Sequence, residues 1–136
     1  MLYLDTSALV KLIRIEPESF ALADWLDERR EFRWITSVLA EVELARAVRA
    51  VAPEGLSAIP SVLARLDRFE IDSVVRTTVA TYTDPTLRPL DAIHLATAQV
   101  AASAAPLAAL VTYDSRLRET AEAHQITTAA PGIDAE

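Results

Sequence analysis

Four carboxylates, Asp5, Glu43, Asp91 and Asp114, stand where an acid can do more than solvate a surface. Asp5 follows the apolar run Leu2-Tyr3-Leu4 and precedes Leu9, Leu12 and Ile13 at helical spacing, so it marks a strand-to-helix junction. Asp114 has the same setting after the apolar run Leu107–Thr112. In a parallel α/β sheet, such positions open into the crevice beyond the carboxyl ends of the strands, where ligands bind. Each acid is also a favoured helix cap, so neither decides anything alone.

Glu43 is different, because it lies inside the helical stretch Val38–Val51 among apolar residues. Leu39, Val42, Ala45 and Val48 form one expected apolar stripe. Glu43 falls near Leu39 and Ala47 on the helical wheel, and Glu41 lies on another side. Burying a carboxylate costs several kcal/mol unless it is paired or bound to a cation. The plain alternative is two exposed acids, with Glu43 paired to Arg46. Asp91 falls in the first turn of an Ala-rich helix, where the helix dipole favours an anion. His94, three residues on, suggests a zinc pair, but the only other histidine is His124 and there is no cysteine. A zinc site needs more His or Cys than that, so His94 reads as a hydrogen-bonded structural residue.

Carboxylates gathered in one pocket repel one another and raise each other's pKa. A hard divalent cation reverses that, taking oxygen ligands and keeping several waters. Such an ion can lower the pKa of a water that attacks phosphorus, and a second can stabilise the leaving oxygen. No side chain is an obvious general base.

The elements that must position these acids follow from the pattern. A strand over residues 2–4 leads to a helix capped by Thr6 or Ser7. The Pro17-Glu18-Ser19 turn starts a second helix that packs through Phe20, Leu22, Ala23, Leu26 and Trp25, and the charged run Asp27–Glu31 ends it. Phe32–Ser37 is a second strand, and the Val38–Val51 helix stops at Pro53 and Gly55. Leu56–Leu66 is a further helix, with Pro60 marking a late start or a kink. A short strand over 69–71 runs into a helix through Tyr82, and the two prolines of Asp84–Pro89 mark a loop. Leu90–Ala102 is helical, Leu107–Thr112 suits a buried central strand, and a helix over 115–124 precedes a last short strand. Strands alternating with helices imply a parallel sheet covered on both faces, in one domain.

The chain has 136 residues and a net charge of −7, which disfavours a general nucleic-acid coat protein. A nuclease that works through bound cations tolerates that balance. No run approaches a membrane span, and the opening strand leaves no room for a signal peptide. The absence of cysteine fits a reducing cytoplasm.

The Asp5-Thr-Ser-Ala opening, Glu43-Leu-Ala-Arg46-Ala after Thr36-Ser37, Leu90-Asp91-Ala-Ile-His-Leu-Ala-Thr-Ala and Thr112-Tyr-Asp114-Ser-Arg-Leu come in one order. Together they resemble the PIN-domain family, with the closest likeness to the VapC-type toxins of bacterial toxin–antitoxin pairs. The resemblance covers residues 1–136. It implies a three-layer α/β/α sandwich and a cytoplasmic, Mg²⁺- or Mn²⁺-dependent endoribonuclease acting on RNA. It carries over to Asp5, Glu43, Asp91 and Asp114 as metal-binding and catalytic acids. Glu43 is preferred to Glu41 because Leu44–Ala47 matches the residues after the family's acid. It also implies a homodimer and a cognate antitoxin, with no membrane. Lys11, Arg14, Arg46, Arg88 and Arg116 lie near the acids in sequence and are candidate phosphate contacts. The non-enzymatic alternative is an inactive PIN-like module that binds RNA or a partner. Asp-nucleophile phosphatases and receiver domains fail, because Ser7 replaces their second acid and no lysine follows Lys11.

Overall fold

A computed structural model describes residues 1–134, so the last two positions of the expected domain lie outside the described residues. Five parallel strands form one sheet in the order β3-β2-β1-β4-β5. They are β1 Leu2–Leu4, β2 Trp34–Ser37, β3 Asp67–Phe69, β4 Ala109–Val111 and β5 Thr128–Ala129. Seven helices surround them: α1 Thr6–Lys11, α2 Ser19–Asp27, α3 Leu39–Val51, α4 Ile59–Ala64, α5 Ser73–Thr81, α6 Pro89–Ala104 and α7 Ser115–Ala123. The expected three-layer sandwich is what the chain adopts. Among the described residues no helix is long and apolar enough to cross a membrane.

The two faces of the sheet follow from the strand period of two. Leu2, Leu4, Ala109 and Val111 point into one core, with Leu9, Leu22, Leu44 and Leu63 from α1–α4. Tyr3, Ile35 and Leu110 point into the other, with Leu95 and Ala98 of α6 and Leu117 and Ala121 of α7. Every residue of β1 and β4 is buried, which is why these strands read as unbroken apolar runs. The register pairs Leu4 with Val111. Asp5 therefore emerges one residue beyond β1 beside Thr112, and its backbone N–H donates to the Val111 carbonyl at 3.2 Å.

Several expectations need correction. The α3 stripe is Ala40, Leu44 and Val48, whereas Val42 is 59% exposed. Ala45 sits only at the margin of that core, and Leu39 is half-buried outside it. Phe20 of α2 is 71% exposed and Ala23 is exposed, so that helix packs through Leu22 and Leu26. The second strand starts at Trp34, because Phe32 and Arg33 are exposed. The third lies two residues earlier than expected, since it pairs Asp67 with Ile35 and Phe69 with Ser37. The expected 56–66 helix is a 3₁₀ turn over Pro53–Ala58 followed by α4, with Pro60 in the first turn, where its missing N–H costs no bond.

Candidate active site at the carboxyl ends of β1 and β4

Asp5 is the N-cap of α1, in place of the expected Thr6 or Ser7. It is 3% exposed, and three donors converge on its carboxylate. Ser7 Oγ and the Ala8 N–H donate to Oδ1 at 2.6 and 3.1 Å, and Thr112 Oγ1 donates to Oδ2 at 2.6 Å. Both hydroxyls are themselves held by the loop after β4. The Tyr113 N–H donates to Ser7 Oγ at 2.9 Å, and the Asp114 N–H donates to Thr112 Oγ1 at 3.1 Å. Two hydroxyl bridges thus lock the ends of β1 and β4 around one buried acid. Burial pushes the Asp5 carboxyl above its ordinary range, against the nearby His94 and the Ser7, Thr112 and Ala8 bonds. Among the described residues Asp5 has no ion-pair partner in contact.

Asp114 caps α7 through Oδ1, which accepts from the Arg116 and Leu117 N–H groups at 2.9 and 3.2 Å. Its Oδ2 accepts from Arg88 Nη2 at 3.0 Å, and Arg88 Nε donates to Asp91 Oδ2 at 3.1 Å. One guanidinium therefore joins the acid of α6 to the acid after β4.

Glu43 projects from α3 into the same region. Its Oε1 accepts from Thr6 Oγ1 at 2.7 Å and meets His94 Nε2 at 2.6 Å. A carboxylate only accepts, so Nε2 carries the proton; in the neutral ring Nδ1 then accepts from the Tyr3 hydroxyl at 2.7 Å. Burial works to raise the Glu43 pKa, but the His94 and Thr6 bonds hold it below the ordinary carboxylate range. Glu41 faces elsewhere and pairs with Arg68 at 2.9 Å. A cavity of about 460 Å³ is lined by Glu43, Arg88, Pro89, Leu90 and Asp91.

The four acids thus come to one end of the sheet. Among the described residues, however, no three His, Asp or Glu side chains stand close enough together to hold a metal as they are. Arg88 sits between two of them. The donor set still suits a hard divalent cation: it is all carboxylate oxygen, with one buried acid that no cation pairs.

The other sequence candidates separate. Lys11 is paired with Glu16 and Glu18 at 3.1 and 2.6 Å and lies over the Tyr113 ring, so it fastens α1 to neighbouring loops. Arg14 pairs with Glu16 at 3.7 Å. Arg46 and Arg116 are exposed. His94 is the hydrogen-bonded residue expected, with both ring nitrogens engaged, and His124 instead meets Asp84 at 3.2 Å. Thr6, Ser7 and Thr112 each donate a hydroxyl hydrogen bond to one of the acids. Ser115 makes no such bond among the described residues.

A family model described as PIN domain matches residues 2–123, nearly the whole chain. The chain belongs to the PIN-domain family. Relatives agree: a protein named Ribonuclease VapC35 from Mycobacterium tuberculosis is 73% identical, over 97% of this chain and 98% of that one. Ribonuclease VapC46 from the same species is 39% identical, over 96% of this chain and 97% of its own. Among solved structures, VapBC2 from Rickettsia felis bound to a promoter DNA fragment superposes with a TM-score of 0.73 at 16% identity, covering 95% of this chain and 98% of that one. FitAcB from Neisseria gonorrhoeae gives 0.72 at 18% identity, covering 98% of this chain and 100% of that one. These two likenesses speak to the PIN fold alone.

Sequence reasoning left Tyr3 without a role and did not foresee that Arg88 joins Asp91 to Asp114. A buried tyrosine inside a strand reads as core, and nothing local ties Arg88 to Asp114, 26 positions away.

Proposed function

We propose that this chain is the toxin of a toxin–antitoxin pair, a divalent-metal-dependent endoribonuclease that hydrolyses RNA phosphodiester bonds at Asp5, Glu43, Asp91 and Asp114. The observation that carries the reading is Asp5, a buried carboxylate ringed by donors, with the other three acids at the same end of the sheet. The 73% identity to a protein named as a VapC ribonuclease supports the substrate class.

In this reading Asp5 and Asp91 are the main ligands, and Glu43 and Asp114 complete the set; oxygen donors of this kind suit Mg²⁺ or Mn²⁺. A divalent ion held by these acids would supply charge neutralisation and an activated water for attack on phosphorus. The chain's own residues supply orientation. Ser7 and Thr112 fix both Asp5 oxygens, so this acid cannot rotate away. Thr6 and His94 both hold Oε1 of Glu43, which leaves Oε2 unbonded among the described residues. Asp114 keeps Oδ1 in its helix cap and offers Oδ2 to the cleft. Arg46 and Arg116, both exposed, are the candidate contacts for RNA phosphates in this reading.

The reading includes a homodimer in the cytoplasm and a cognate antitoxin that covers the cleft. A basic antitoxin side chain reaching the acids would be electrostatically matched. The fold shared with VapBC2 is in keeping with a protein partner.

The test is cleavage of total RNA by purified protein with Mg²⁺ or Mn²⁺, with EDTA, and with Asp5→Ala and Asp91→Ala variants checked for folding by circular dichroism. Metal-dependent cutting that both variants lose is the expected result. No cutting by folded wild type across several RNAs and both ions would replace the nuclease with a binding module. Equal cutting by the variants would point to a contaminant and remove the assigned site.

A further inference from the structure

We propose that Arg88 is a built-in counter-cation of the acidic cleft, which holds Asp91 and Asp114 together in the metal-free protein and must leave before a divalent ion can use them. The inference rests on the metal site proposed above and names a residue that sets its affinity.

The geometry leaves little choice of oxygen. Oδ1 of Asp114 is committed to the Arg116 and Leu117 N–H groups, so only Oδ2 is free for a ligand, and Arg88 Nη2 takes that oxygen at 3.0 Å. Arg88 Nε takes Oδ2 of Asp91 at 3.1 Å. Glu43 and Asp91 line the cavity that Arg88 also lines, so every charged group facing the guanidinium there is an acid. Two carboxylates drawn together without a cation repel; a planar fork between them removes that repulsion. A guanidinium cannot share an oxygen's metal-facing position with a dication, and its charge opposes the arrival of one.

Arg88 can move. It precedes α6 in extended backbone at φ −74 and ψ 152, with no side-chain cap bond, and its side chain is 58% exposed. Swinging out disturbs neither hydrophobic core. The same side chain therefore keeps the empty cleft from repelling itself and makes the site bind metal less tightly than its acids alone would. It is a positioning residue in the metal-free protein, and its charge becomes available to substrate only once the acids are occupied.

The experiment is a Mn²⁺ titration of metal-free protein, with free ion followed by electron paramagnetic resonance. Arg88→Ala and Arg88→Gln should bind Mn²⁺ about three- to tenfold more tightly than wild type, the range that two exposed ion pairs are worth. Arg88→Gln keeps a polar side chain without the charge and serves alone if the alanine variant fails to fold. In wild type, the Arg88 Nε–H resonance should be protected from water exchange and lose that protection on saturation with Mg²⁺. Variants that bind no more tightly, or an Nε–H signal indifferent to Mg²⁺, would overturn the proposal. Wild type that binds no Mn²⁺, or binding that Asp91→Ala leaves unchanged, would bring down the metal site itself and this inference with it.

Discussion

Glu43 and Asp5, two acids at one end of the sheet, are driven in opposite directions by their surroundings. At Asp5 burial dominates and the carboxyl is pushed up. At Glu43 burial is opposed by two strong donors on one oxygen, and the pKa falls below its ordinary 4.5. The donor from His94 depends on a residue further back. The Tyr3 phenol is wholly buried and its pKa is driven far up, so it stays protonated and donates to Nδ1. That fixes the ring with its proton on Nε2, toward Glu43. A carboxyl with a depressed folded pKa stabilises the fold above its unfolded pKa, and that contribution is lost as pH falls through the folded value. Glu43→Gln should therefore melt at a lower temperature than wild type at neutral pH in EDTA, and the gap should close once pH drops well below 4.5. Thermal melts at about pH 7 and at successive steps down through the acid range decide it. A gap that persists unchanged at the lowest pH would mean that packing, not the charge, was lost.

At the scale of elements, the site depends on how closely short pieces can approach one another. The 3₁₀ turn at Pro53–Ala58 runs against α3, and Gly55 lies close to Val48 of that helix and to Ile13 just after α1. A Cβ there would lie 2.7 Å from Ile13 Cγ2 and 3.4 Å from Val48 Cγ1. Ile13 is β-branched and stiff, so it cannot fold its methyl away cheaply. Gly55→Ala should destabilise by about 1–3 kcal/mol, as overpacking does, read from urea denaturation with an unchanged slope. A neutral or stabilising result would show that α1 yields at its end. This contact was not legible in the sequence, because it joins segments that only the fold brings together. β1 and β4 were legible because burial on all sides leaves an unbroken apolar signature, and α6 through its Ala-rich run, although Pro89, read as the end of a loop, is the helix's first residue. The phase of α3 was not, because Val42 and Ala40 both count as apolar. Only the sheet decides that small Ala40 faces inward and Val42 outward. β3 was misplaced because Asp67-Arg68-Phe69 is an edge strand held by backbone pairing to β2, with exposed side chains at its first two positions. The acids were legible because each sits at a strand end or in a helix next to it. The bridge from Arg88 to Asp114 was not, since it joins residues distant in sequence.

For the whole molecule, the sheet order places β1 and β4 side by side at its centre, so the cleft forms only when the sheet does. The unfolded chain has its acids dispersed and binds a divalent ion weakly. A ligand that binds the folded state alone stabilises it by about 2.7 kcal/mol at a hundred times its Kd. For a chain of this size that corresponds to a rise in Tm of roughly 5–10 °C. Any salt also screens a net charge of −7, so part of a rise with MgCl₂ would be non-specific. The comparison is therefore between Mg²⁺ or Mn²⁺ and NaCl at equal ionic strength, in wild type and in Asp5→Ala. Wild type should gain several degrees more from the divalent ion than from NaCl, and Asp5→Ala, though starting from a lower Tm, should gain the same from both. Equal gains in wild type would mean that the ion acts only as a screen. The four acids would then share one end of the sheet without sharing a metal.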